Sequence, residues 1–114
     1  MTTRTDARTS FLTDIYTCAL EGGIGYWSTC TEYRWSTTQR AVIEEIDNDD
    51  REHVITLDTV ARGLNAITTG RIRLHEKLRR HITAASRAND AGDIDAGDAD
   101  LIVQAGIFGE ITYG

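Results

Sequence analysis

The run Ala19-Leu20-Glu21-Gly22-Gly23-Ile24-Gly25-Tyr26-Trp27 concentrates an ionisable carboxylate, three glycines and two large aromatics. Glycine lets another group approach the backbone closely, and Tyr and Trp bring broad contact area with a polar tip. Such a corner suits either a tight packing joint or a binding cleft. Glu21 could work as an acid or base beside a second carboxylate. On a strand, Trp27, Tyr33 and Trp35 would share one face and could stack against a planar ligand, although ordinary sheet core is the simpler alternative. Arg34 or Arg62 could then meet a phosphate. The candidate ligand-binding residues are therefore Glu21, Gly22, Gly23, Tyr26, Trp27, Arg34, Trp35 and Arg62.

Other chemistries find less support. Asp90, Asp93, Asp95, Asp98 and Asp100 suggest calcium, but no register supplies the acids, the glycine and the terminal glutamate of an EF-hand loop. Asx turns and acids beside a helix N-terminus explain them better. His53, His75 and His81 occur singly, without a cysteine cluster, which argues against zinc. No G-x-S-x-G, Walker loop or dinucleotide fingerprint is present. Gly22, Gly23 and Gly25 follow a helical pattern rather than a strand, so they are not the phosphate turn of a βα unit. No catalytic residue, metal ligand or cofactor is assigned. Cys18 and Cys30 read as free, mostly buried thiols.

Charge is segregated. The segment 71–88 carries Arg71, Arg73, Lys77, Arg79, Arg80 and Arg87 against Glu76, whereas 89–114 carries six acids and no base. The basic run could dock phosphates or an acidic partner. Pairing with the acidic segment that follows it is the plainer expectation. The net charge of −6 argues against general binding to nucleic acid, and a helix-turn-helix reading of the second and third helices fits poorly. No stretch approaches the roughly 20 apolar residues of a membrane span, and Met1 to Ser10 lacks the apolar core of a signal peptide.

These residues need elements to position them. A chain of 114 residues with 40% hydrophobic and 26% charged content is one globular domain. After a lead at 1–8, a single domain covers 9–114. Thr9 or Ser10 caps a first helix carrying Phe11, Leu12, Ile15, Tyr16, Ala19 and Leu20, and Gly22-Gly23 ends it. Tyr26 to Trp35 reads as a strand. After Ser36-Thr37-Thr38, Arg40 to Asp47 is a second strand with Val42 and Ile46 on one face. A turn at Asp47-Asn48-Asp49-Asp50 leads to a third strand, His53 to Thr56. Thr56 caps a second helix carrying Leu57, Val60, Ala61, Leu64 and Ile67, in which Gly63 marks close helix packing. A third helix runs from about Arg71 to Ala88. A fourth runs from about Ala96 to Ala105, with Asp95 or Asp98 at its N-terminus, and Phe108 to Tyr113 could add an edge strand. The expected class is α+β, with about four helices on a small antiparallel sheet of three to four strands.

Several motifs occur in a fixed order. They are Ala19-Leu20-Glu21-Gly22-Gly23-x-x-Tyr26-Trp27, Ala61-Arg62-Gly63-Leu64, Asn89-Asp90-x-Gly92-Asp93-Ile94-Asp95, and Ile102-Val103-Gln104-Ala105 with Phe108-Gly109-Glu110-Ile111. This series resembles a family of short uncharacterised proteins encoded by bacteriophages of actinobacteria, from Phe11 onward. The 11 Arg against one Lys, with abundant Ala, Asp, Gly and Thr, agree with a GC-rich genome. The resemblance brings no activity or catalytic residue. It implies a small accessory protein in the cytoplasm of the infected bacterial host.

The expectation is stoichiometric binding rather than catalysis, with a small nucleotide-like ligand sequestered to counter host defence. One alternative is an inhibitor or adaptor that binds a host or phage protein through acidic surface at Asp47 to Asp50 or Asp90 to Asp100. Another is a small-molecule-degrading enzyme using Glu21. Aromatics in excess of one core would favour a homo-oligomer.

Overall fold

The computed structural model describes residues 4–36 and 38–114; residues 1–3 of the expected lead and residue 37 of the expected connection lie outside them. The fold is α+β, and the described residues form four α-helices and a three-stranded antiparallel sheet. In order, the elements are α1 (Asp6–Cys18), a π-helical turn (Ala19–Gly23), β1 (Ser28–Arg34), β2 (Arg40–Glu45), β3 (Asn48–Thr56), α2 (Leu57–Thr68), α3 (Glu76–Ala88) and α4 (Ala96–Phe108). No described helix is long and apolar enough to cross a membrane.

The first helix begins earlier than Thr9 or Ser10, because the Thr5 side chain accepts a hydrogen bond from the Arg8 amide at 3.1 Å and so caps Asp6. Its far end also differs. Gly22 and Gly23 do not stop the helix; they form the end of a widened turn closed by Ile24 N–H donating to the Ala19 carbonyl at 3.0 Å. The reason is tertiary. Gly23 lies against the first turn of α4, where an added Cβ would sit 2.7 Å from the Ala96 carbonyl oxygen.

The sheet runs in the order β1-β2-β3, and two irregularities set its faces. A bulge between Cys30 and Glu32 puts Tyr33 opposite Ala41, whereas Thr29 lies opposite Glu44. The expected alternation from Trp27 through Tyr33 to Trp35 is therefore broken. On β2 the inward residues are Ala41, Ile43 and Glu45, not Val42 and Ile46. Val42 pairs with Val54 on the outer side, and Ile46 belongs to the turn before β3, one residue earlier than the expected Asp47 start. β3 is accordingly longer than His53 to Thr56. The inner face, with Ile43 and Ile55, is buried under the helices, while Val54 and Ile46 are each 47% exposed.

The second helix follows the reading of its sequence. Thr56 and Thr59 form a capping box, Val60, Leu64 and Ile67 are buried, and Gly70 at φ +79° ends the segment. Gly63 meets the Ile102 carbonyl of α4, and Gly106 of α4 meets the Thr59 carbonyl of α2. Two glycines thus let the backbones of α2 and α4 touch. Asp95 and Asp98 form the N-terminal box of α4. The third helix begins at Glu76 rather than Arg71, because Arg71 and Ile72 both donate their amides back to the Ala66 carbonyl, at 3.0 and 3.2 Å. Phe108 to Tyr113 forms no strand; α4 continues to Phe108, and Gly109 turns the chain at φ +71°.

Gly63→Ala and Gly106→Ala should each cost about 3 kcal/mol, because the added methyl collides with backbone that cannot move aside. Gly22→Ala, whose Cβ would meet only Ala96 Cβ at 3.9 Å, should stay within about 0.5 kcal/mol of the parent. Urea unfolding of the three variants checks both expectations.

Candidate functional site

The aromatic corner is built around a buried carboxylate. Asp100, 5% exposed on α4, accepts hydrogen bonds from the Tyr26 hydroxyl at 2.6 Å, the Trp27 indole N–H at 2.8 Å and the Gln104 amide at 2.9 Å. Gln104 is itself fully buried. Its amide nitrogen also donates to the Tyr113 carbonyl at 3.1 Å, and its oxygen accepts the Thr112 and Tyr113 amides at 2.9 and 2.8 Å. The tail after α4 is held by one side chain rather than by a strand ladder. Tyr113 stacks on Trp27 with ring centroids 4.9 Å apart, and its hydroxyl donates to Glu45.

Glu45 is a second buried carboxylate, met also by the His53 ring at 2.8 Å and by Arg51 at 3.4 Å. Burial pushes its pKa up, but the hydrogen bonds from Tyr113 and His53 and the neighbouring positive charge outweigh it, leaving a net lowering. Every tyrosine is pushed the other way. Burial raises Tyr16 to about 12. Burial and then the bond to Asp100 raise Tyr26 to about 12, and burial and then the bond to Glu21 raise Tyr33 to about 12. Tyr113 is raised first by its bond to Glu45.

The residues singled out in the sequence do not gather in one cleft. Gly23 and Trp27 are core, and Gly22 is exposed on the π-helical turn. Glu21 is exposed and accepts the Tyr33 hydroxyl at 2.8 Å. Tyr33 also packs on Tyr16, with ring centroids 5.9 Å apart. Tyr26 is exposed along its ring but tied at its tip. Arg34 ends β1 beside Glu32 at 3.6 Å, and Trp35 follows it, 64% exposed. Trp27, Tyr33 and Trp35 therefore form no common stacking platform. The bulge in β1 and the polar anchor on Trp27 separate them.

Arg62 has a different neighbourhood. It lines a cleft of about 460 Å³ together with Asn65, Arg71, Ile72, Ala105, Gly106 and Gly109. A second lobe of about 270 Å³ shares Arg71, Ile72 and Gly109 and adds Arg73, Glu110 and Ile111. Together they make a groove where α2 and α4 end and the segment 71–75 crosses. Its size suits a small molecule. Arg62, Arg71 and Arg73 are exposed, and none has an acidic partner within 4.0 Å among the described residues. Arg71 only touches the Thr69 hydroxyl at 3.3 Å, and Arg62 the Gly106 carbonyl at 3.5 Å. Three unneutralised guanidinium groups around an apolar floor can hold an anion bidentately. The basic run pointed toward Arg71 and Arg73, but nothing in their spacing connected them to Arg62 or Glu110.

The expected pairing of the basic segment with the acids after it is largely absent. Arg79 and Arg80 pair with Glu76 inside their own helix. Only His81 reaches across, to the Asp93 carbonyl at 2.8 Å and the Asp98 carboxylate at 3.2 Å, among the described residues. Asp98 and Asp100 are buried, which takes them out of any acidic docking surface. No group of three or more His, Cys, Asp or Glu among the described residues is arranged to hold a metal. Cys18 is half-buried and Cys30 exposed; both are free, so the expectation of mostly buried thiols fails for Cys30, which lies at the β1 edge beside the bulge.

Compared with protein-family models, with curated protein sequences and with solved structures, the chain matches none.

Asp100→Asn should cost about 2–3 kcal/mol, since an amide cannot accept from all three donors. Tryptophan fluorescence should report the change directly, because the Trp27 indole N–H donates to the substituted side chain. A raised tyrosine pKa contributes stability that is complete below the unfolded value of 10 and is lost as pH rises through about 12. Ultraviolet titration should therefore show the tyrosines ionising late, together with loss of the folded circular-dichroism signal between pH 10 and 12.

Proposed function

We propose that this chain acts by stoichiometric binding, holding a small nucleotide-like anion in the arginine-lined groove. One observation carries the reading: in a chain of net charge −6, three arginines line a single groove, and none has an acidic partner within 4.0 Å among the described residues. Of the ligand-binding residues expected from the sequence, Arg62 alone lines this groove, and the aromatic corner is not part of it. In the setting that the phage resemblance implies, such a protein sequesters a defence signal in the cytoplasm of the infected cell.

A second reading, an adaptor that docks on a host or phage protein, draws on the outer face of the sheet. Glu44 lies directly opposite Glu52 there, and neither has a cationic partner within 4.0 Å among the described residues. Like charges placed this way are destabilising, and a basic partner would relieve them. The groove has the stronger claim, because it joins charge to a concave apolar floor.

Isothermal calorimetry against mononucleotides and cyclic dinucleotides tests the first reading. At least one should bind in a one-to-one ratio per site, and Arg71→Ala should weaken it tenfold or more, the rough worth of a hydrogen bond to a charged group. Silence across the whole panel would remove the reading, and native mass spectrometry of the same samples would report stoichiometry and subunit number.

A further inference from the structure

The groove is electrically polar along its length. Arg62 and Arg71 stand in its first lobe; its second lobe, which Arg71 also lines, adds Arg73 and the acid Glu110. Arg73 and Glu110 are both exposed and of opposite charge, yet they form no ion pair within 4.0 Å. Buried Ile72 and half-buried Ile111 give this lobe apolar walls. A ligand filling both lobes must present an anion to the guanidinium groups, a flat apolar body to the isoleucines, and hydrogen-bond donors to Glu110.

We propose that the ligand is a guanine nucleotide, with its phosphate at Arg62 and Arg71 and its base read by Glu110. The inference rests on the proposed binding role of the groove. An ionised carboxylate only accepts hydrogen bonds, and its two oxygens take a pair of neighbouring donors. Guanine offers such a pair on one edge, N1–H beside the exocyclic N2 amino group. Adenine and cytosine set an acceptor beside their amino group, and uracil flanks its N–H with two carbonyls. Each would bring an acceptor lone pair against the carboxylate. Glu110 therefore selects by attraction for guanine and by repulsion against the other bases.

Calorimetry of the full chain with GMP, AMP, CMP, UMP and inorganic phosphate tests this. GMP should bind at least about fivefold more tightly than the other nucleotides, the low end of what one bidentate base contact discriminates. Glu110→Gln keeps shape and surface position, so it should fold normally and erase the preference for GMP, weakening GMP and strengthening AMP, whose amino group and ring nitrogen match the amide's acceptor and donor. Arg71→Ala should weaken GMP and AMP alike. Equal binding of GMP and AMP, with Glu110→Gln silent, would overturn the guanine assignment and leave the anion groove standing. Inorganic phosphate binding as tightly as GMP would do the same. No binding by any nucleotide would overturn the groove itself.

Discussion

A carboxylate removed from water must be surrounded by donors, and Asp100 imposes that requirement on the rest of the molecule. Leaving an ionised group without partners in the interior would cost several kcal/mol. The donors come from Tyr26 and Trp27 in the corner and from Gln104 one turn further along α4. Satisfying Asp100 therefore fixes how the corner meets α4. It also orients Gln104, whose remaining hydrogen-bonding capacity is spent on the tail. The tail in turn lays Tyr113 on Trp27 and reaches Glu45 on the sheet. One polar path runs from helix to corner to tail to strand, and no buried side-chain nitrogen or oxygen on it lacks a partner among the described residues. Fully satisfied networks of this kind specify one arrangement of a core.

The glycine contact between α2 and α4 has a different office. It brings two helix backbones together, and residues from the C-terminal halves of both line the groove. The chain leaving α2 folds back on Ala66, which carries Arg71 to the rim that Arg62 already occupies. The groove is thus made of exposed, loosely held side chains on a stiff base. Binding residues on short loops over a rigid scaffold are a common arrangement, since the scaffold supplies position and the side chains supply contact.

Local signals in the sequence were enough for α2 and for the start of α4, because Thr56, Thr59, Asp95 and Asp98 act within a turn of themselves. The α+β class followed from the same periodicities. Signals that depend on distant partners were not legible. Gly22-Gly23 has the composition of a helix stop, and only the approach of Ala96 makes it a widened turn. The run Ala41-Val42-Ile43 is apolar in both phases of a strand, so its inward face is decided by Glu45, whose partner Tyr113 lies 68 residues away. The corner was visible as a feature; its partner Asp100 was hidden among acids that read as loop and helix-cap residues. Arg62 was visible as a cation. Its companions Arg71, Arg73 and Glu110 join it through the turn after α2 and the glycine after α4, which spacing alone does not reveal.

The grip of Gln104 on the tail has an evolutionary consequence. It reads peptide groups, two amides and a carbonyl, and no side chain. Position 112 can therefore drift freely among residues other than proline, whereas position 113 needs an aromatic hydroxyl for Trp27 and Glu45. Gln104 has no such freedom: glutamate would lose the donors that serve Asp100, and a hydrocarbon would strand both. A lineage carrying this fold would keep Gln104 and Tyr113 as a pair while position 112 wandered.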